Sequence, residues 1–234
     1  MTYKNEECPV QWRTRIAVWM KRPLLQKLRS LESKIGGGIG WIEDFVFDRR
    51  YQLNCSGYIE NRKLETIHST ALPHSMAYQA VTCAAIRELI DEVKKTGIEF
   101  DHFIDLGSGK GKACFYAATR VRFRKIIGVE FSGPLVEVAR DNAARFGADN
   151  IFFVNADAAT FCLPPGNNLV FLFNPFGESI LKKILETNMD RFGQSRSVIA
   201  YANDQHRLCL ARAGFVTLFR NQDTQGSLHQ HMTA

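Results

Sequence analysis

The chain has 234 residues, room for one full α/β domain with an appendage and too little for two ordinary domains with separate cores. Its content of 45% hydrophobic and 23% charged residues is that of a globular protein and excludes disorder as the main state. The formal charge of +6 is concentrated: Lys4, Arg13, Arg15, Lys21, Arg22, Lys27, Arg29 and Lys34 face only Glu6, Glu7 and Glu32 in the first 35 residues. The remainder is nearly neutral, so a general nucleic-acid-binding face on it is not indicated, whereas a basic N-terminal arm is.

Cys8, Cys55, Cys83, Cys114, Cys162 and Cys209 are scattered singly, without a C-x-x-C pair or a histidine at zinc-ligand spacing. Reduced thiols, no metal and a cytoplasmic location are the expectation. Met1 to Glu7 lead into no apolar leader core, and no stretch reaches the roughly 18 apolar residues that span a bilayer.

In chain order, residues 12–33 carry Ile16, Trp19, Met20, Leu24, Leu25, Leu28 and Leu31 at helical spacing with basic residues opposite, interrupted at Pro23. Such a helix either contacts an anionic membrane peripherally or packs on its own domain with its basic side chains reaching out to water. Gly36-Gly37-Gly38-Ile39-Gly40 reads as a hinge, and residues 41–73 as an irregular cap over one end of a catalytic domain. The domain division is thus 1–72 and 73–234.

From Ser75 onward helix and strand alternate. A helix is predicted over 76–95, then strand 103–106, a glycine loop, helix 112–120, strand 125–130, helix 134–146, strand 151–155, strand 169–174, helix 179–189, strand 197–201 and helix 206–213. Strands at 215–220 and 228–231 are joined by a tight turn through Asp223 and Gly226. Short apolar strands alternating with helices imply an α/β, Rossmann-like, mostly parallel sheet with helices on both faces. The closing turn makes the last strand antiparallel.

Ligands of such sheets bind at the carboxyl ends of the strands, beside the point where strand order reverses. The first strand runs there into Asp105-Leu106-Gly107-Ser108-Gly109-Lys110-Gly111. Gly107, Gly109 and Gly111 permit positive φ and close backbone approach, and the next helix offers its N-terminal N–H groups. The spacing G-x-G-x-G fits neither the dinucleotide nor the nucleotide-hydrolase fingerprint. Asp105 would repel a pyrophosphate but can accept from the ammonium of a bound amino acid. Glu130, nineteen residues past Gly111, can take both hydroxyls of a ribose. Asp157, after the third strand, is placed to accept from an adenine amino group. Each acid alone could be an ordinary loop carboxylate, but three at successive strand ends point to a ligand with ammonium, ribose and adenine.

The stretches 103–117, 127–130 and 169–176, with Asp157, resemble the successive motifs of class I S-adenosylmethionine-dependent methyltransferases, over roughly residues 73–220. Asp105 to Gly111, Gly128-Val129-Glu130 and Phe173-Asn174-Pro175-Phe176-Gly177 are similar to the telomeric-silencing-disruptor type of lysine methyltransferase and to related small bacterial methyltransferases. The resemblance implies a seven-stranded sheet in the order 3-2-1-4-5-7-6 and S-adenosyl-L-methionine as cofactor. It implies that Asp105, Gly107, Ser108, Gly109, Gly111, Glu130 and Asp157 bind it, with Tyr78 and His74 closing over the methionine end. It also places Asn174, Pro175 and Phe176 against the methyl acceptor. One proline instead of two in this strand end departs from the motif of enzymes that methylate planar amide or base nitrogens. Transfer to a nucleophilic nitrogen on a protein side chain such as lysine is the expectation. A nucleic-acid base, a lipid and a small molecule stay open as acceptors, as do Asp204 and His206 as acceptor-loop residues. A nicotinamide-dependent oxidoreductase would share the glycine turn and Glu130 but leave Asp105 and Asn174 to Phe176 unexplained, and a non-catalytic scaffold would use none of them.

Overall fold

The computed structural model describes residues 40–59, 78–173 and 176–232. The chain divides into two units, Met1–Gly40 and Trp41–Ala234, and every described residue except Gly40 belongs to the second. The helix expected over 12–33, the hinge before Gly40 and His74 lie outside the described residues.

The elements in order are α1 (Gly40–Tyr51), β1 (Tyr58–Ile59), β2 (Tyr78–Gln79), α2 (Cys83–Lys95), β3 (His102–Leu106), α3 (Lys112–Ala118), β4 (Lys125–Glu130) and α4 (Gly133–Phe146). There follow β5 (Ile151–Asn155), a 3-10 turn (Ala158–Thr160), β6 (Asn168–Phe173), α5 (Glu178–Gly193), β7 (Val198–Ala202), α6 (Arg207–Arg212), β8 (Phe215–Asn221) and β9 (Gly226–His231). β1 and β2 pair in a small antiparallel sheet. The other seven strands form one sheet in the order β5-β4-β3-β6-β7-β9-β8, which counted from β3 is 3-2-1-4-5-7-6 as expected. β9 runs antiparallel to both β7 and β8, and β5 through β7 pair in parallel.

Period-two alternation explains how this sheet carries a core on each face. Phe103 and Phe171 point to one side, where Ile86, Leu89, Ile90 of α2, Phe115 of α3 and Val136 of α4 cover them. Ile104, Val170, Leu172, Ile199 and Tyr201 point to the other, against Ile184 and Leu185 of α5 and Leu210 of α6. All five residues of β3 and of β7 are buried, so the middle of the sheet is a rigid platform for whatever its strand ends carry.

Two elements differ from the sequence reading. The helix expected from residue 76 starts at Cys83, because Thr82 takes an extended conformation and its hydroxyl accepts from Ala85 N at 3.2 Å, capping the helix there. Tyr78–Gln79 instead adds to Tyr58–Ile59. The cap expected to be irregular begins with the helix α1, which docks through Phe47 and Tyr51, packed on Tyr116 and Phe146, and through ion pairs that break up its apolar periodicity. Lys112 of α3, almost fully buried, lies 2.7 Å from Asp44 and 3.6 Å from Asp48. Glu43 pairs with Arg87 of α2 and accepts from the Tyr116 hydroxyl at 2.9 Å. A lysine at a helix N-terminus opposes the helix dipole, and the two aspartates of α1 offset that penalty.

Beneath the glycine loop, Phe153 of β5 sits directly opposite Gly128 of β4. A Cβ on Gly128 or on Gly111 would overlap the Phe153 ring. Two glycines therefore admit one phenyl group, which fixes the floor of the loop. Gly128→Ala should lower stability by about 1–3 kcal/mol through overpacking. Adding Phe153→Leu, which vacates the overlapping ring edge, should restore part of the loss in urea unfolding; no recovery in the double variant would contradict this packing.

Candidate active site

β3 ends at Leu106, and the loop that follows is tied to the neighbouring strand: Gly107 N and Ser108 N both donate to Val129 O, at 2.8 and 3.0 Å. Gly111 N closes the turn on Ser108 O at 2.8 Å. Gly107, Gly109 and Gly111 have φ of 84°, 52° and 89°, the left-handed region in which a Cβ is strained. Gly109 has a second reason to lack a Cβ, since one there would enter the ring of Tyr78, which lies on the loop.

Register sets the acids side by side. Asp105 stands opposite Gly128, and Glu130, two residues further along β4, stands opposite Asn155 of β5. Asp105 is 4% exposed, and the one partner described for its carboxylate is the Cys114 thiol, donating at 3.8 Å. Burial, with the like charge of Glu130 added, pushes its carboxyl up to about 8. Glu130 is 5% exposed; Gly109 N donates to one of its oxygens and Ser132 N to the other, each at 2.9 Å. Burial still holds Glu130 above the ordinary carboxylate range, against the pull of those N–H donors. Among the described residues, the hydroxyl of Ser108, buried in the same loop, has no hydrogen-bond partner.

This corner contains two buried carboxylates and an idle hydroxyl, and needs a cation and further donors to be satisfied. S-adenosylmethionine fits: its ammonium and sulfonium are cations and its ribose offers two hydroxyl donors. Asp105 would hold the ammonium, and Glu130 would use the lone pairs that its backbone donors leave over. Asp157 follows β5 at the next strand end, where Ala156 N bonds to Glu130 O at 3.0 Å. Its Oδ1 accepts from Ala159 N at 2.8 Å, so it caps the 3-10 turn as well as standing where adenine recognition was expected.

The loop is also roofed, by Tyr78 together with residues the sequence reading passed over, Asn54 to Ser56 and Asn142. Tyr78 Oη donates to Cys55 O at 2.5 Å. Lys110 Nζ donates to Ser56 O at 2.9 Å and to Asn54 Oδ1 at 3.4 Å and lies 5.3 Å from the centre of the Tyr78 ring. Asn142, fully buried on α4, donates from Nδ2 to Lys110 O at 3.1 Å and accepts from Asn54 N at 2.8 Å. The sequence signals were a polar residue on the inward stripe of a helix and a lysine inside a glycine loop.

Of the acceptor-side residues, Asn174 and Pro175 lie outside the described residues. Phe176 is half-buried beyond the end of β6 and packs against the second core cluster. Since β6 pairs with β3, that strand end neighbours the one that carries Asp105. Asp204, 1% exposed, receives Arg220 Nε at 2.8 Å and Nη2 at 3.3 Å, a two-pronged ion pair that ties β8 to the end of β7 and gives Asp204 a structural place. His206 is the residue before α6.

Because the Asp105 carboxyl titrates near 8 in the folded protein and near 4 when unfolded, its contribution to stability is complete at low pH and is lost as pH rises through about 8. Without cofactor, the protein should therefore unfold more readily at pH 8 than at pH 6, and Asp105→Asn should flatten that slope in denaturant titrations. An equal slope in the variant would contradict the assignment.

Residues 99–210 match a sequence family described as a methyltransferase domain. Curated proteins contain no match to the chain. Among solved structures, the chain is similar to the glycopeptide N-methyltransferase MtfA complexed with S-adenosyl-L-methionine, with a TM-score of 0.51 at 12% identity over 64% of this chain and 94% of that one. It also aligns with an S-adenosyl-L-methionine-dependent methyltransferase of Methanococcus maripaludis (TM-score 0.49, 16% identity, 65% and 86% of the chains). A third is the ribosomal protein L11 methylase of Lactobacillus delbrueckii subsp. bulgaricus (0.48, 12%, 64% and 80%). The family match over 99–210 is to a methyltransferase domain, the sheet has the Rossmann-like order 3-2-1-4-5-7-6, and the corner at Asp105 and Glu130 lies at its central strand ends.

Proposed function

We propose that the enzyme moves the methyl group of S-adenosylmethionine in line to a nitrogen on a protein side chain, lysine being the fitting case. The observation that carries this reading is the sequence Asn174-Pro175-Phe176, which follows β6, the neighbour of the strand that bears Asp105. Aligning the acceptor is the main demand on the protein, because the sulfonium supplies a methyl group already activated for displacement. Near-attack geometry asks for about 3–3.5 Å between reacting atoms and a straight approach. An Asn amide oxygen can accept from the acceptor's N–H and aim its lone pair. Phe176, already held by the second core cluster, can present an aromatic face to a cationic side chain. A lysine acceptor must first lose its proton, and a dry aromatic slot lowers its pKa, so no dedicated base is required. The near neutrality of residues 36–234 speaks for a protein acceptor over duplex nucleic acid.

The test is transfer of radiolabelled methyl groups to lysate from cells lacking the protein, followed by separate protease and nuclease treatment. The expected label is lost with protease, survives nuclease and elutes as methylated lysine on hydrolysis. Asn174→Ala should lower kcat about 10²-fold, the cost of a misaligned acceptor. Label removed by nuclease, or kcat unaltered in Asn174→Ala, would overturn the reading.

A further inference from the structure

Lys110 is a lysine with 8% exposure in a loop built for a cationic cofactor, a place where an added positive charge is unfavourable unless something nearby uses it. Among the described residues, its ammonium is held by the Ser56 carbonyl, the Asn54 amide oxygen and the face of the Tyr78 ring. All three belong to the roof, and none belongs to the seven-stranded sheet or its helices. The roof is narrow. Its first strand of chain, residues 53–56, is bounded by two residues in the left-handed region, Gln52 at φ 55° and Gly57 at φ 117°. Tyr78 stands on the second strand of chain, in the two-residue β2, and its hydroxyl binds Cys55 O, so the two parts of the roof move together.

We propose that Lys110 is a positioning residue that latches residues 53–56 and Tyr78 shut over the cofactor loop, so that cofactor and product leave the site only when this latch opens. The geometry gives the device its parts. Tyr78 lies directly on Gly109, whose N–H is bonded to the cofactor-binding Glu130, so lifting the ring uncovers the loop at its central residue. Turns at both ends of 53–56 provide positions that absorb the backbone rotation a lid requires. Among the described residues the charge is matched by dipoles and a ring, a clasp that is strong while dry and weakens once water reaches it. Asn142 holds the loop end of the clasp: it binds Lys110 O and Asn54 N at once, and keeps the lysine backbone fixed while the side chain lets go.

The test needs only binding, so its outcome is independent of which acceptor the enzyme uses. S-adenosylhomocysteine dissociation is followed by displacement with excess unlabelled S-adenosylmethionine for the wild type, Lys110→Met and Lys110→Arg, together with hydrogen exchange of the 53–57 amides in the bound state. Lys110→Met should raise the dissociation rate about tenfold or more, the loss of a charge-assisted contact. Association should change little, exchange at 53–57 should rise while β3 and β7 stay protected, and Lys110→Arg should restore much of the slow release. An unchanged dissociation rate in folded Lys110→Met, or loss of thermal stability without faster release, would overturn the latch. Should Lys110→Met fail to fold, Tyr78→Ala removes the ring and leaves the bond from Lys110 to Ser56; faster release is again expected, and unchanged release again contradicts.

Discussion

Asp105 and Glu130 bring two carboxylates into one dry corner at the ends of adjacent strands, and much of the surrounding architecture serves to keep them there. Neither can move without disturbing the sheet, because β3 is buried along its whole length and the two oxygens of Glu130 hold the loop at Gly109 and the next helix at Ser132. Burial and mutual repulsion disfavour the ionised pair in the empty protein, so the Asp105 carboxyl keeps its proton near neutral pH and would give it up to a bound cation. This also explains why an acid precedes the glycine loop, where a pyrophosphate-binding site would have none.

Around that corner lie two layers of support with different physics. Below it, packing decides: Phe153 fills space that Gly111 and Gly128 leave by having no side chain, and Phe115 lies against it at 5.6 Å between ring centres. Beside and above it, ions and amides decide. Lys112 between Asp44 and Asp48 anchors α1, Lys110 reaches up to the roof, and Asn142 joins loop, roof and α4. The floor can shift only by repacking the core, whereas the roof is held partly by polar bonds that water can exchange and partly by Leu53 and Cys55 in the core.

The sheet was legible from sequence because its signals are local: apolar strands, helices with one inward stripe and a glycine loop in its proper place between them. Asp105 and Glu130 were legible for the same reason, as acids at strand ends. What was not legible depended on distant partners. Tyr78 reads as the first turn of a helix until Tyr58–Ile59, twenty residues earlier in the chain, is there to pair with β2. α1 hides because its apolar face is short, Phe47 and Tyr51, and Asp44 and Asp48 beside it are there to pair with Lys112. Asp204, left open from sequence as an acceptor-loop residue, is the counter-ion of Arg220. Phe153 left one trace in the sequence, Gly128 in the middle of an apolar strand.

The direct test of the central claim is a proton count. Calorimetric titration with S-adenosylhomocysteine in buffers of differing ionisation enthalpy measures protons released or taken up on binding. With the Asp105 carboxyl at about 8, binding an ammonium at pH 7 should release about one proton. The release should fall to about half a proton near pH 8, where the carboxyl is already half ionised in the empty protein. Methylthioadenosine, which has no ammonium, and the Asp105→Asn variant should each show none at pH 7. Tight binding of S-adenosylhomocysteine at pH 7 with no proton released, or the same release in Asp105→Asn, would contradict the account.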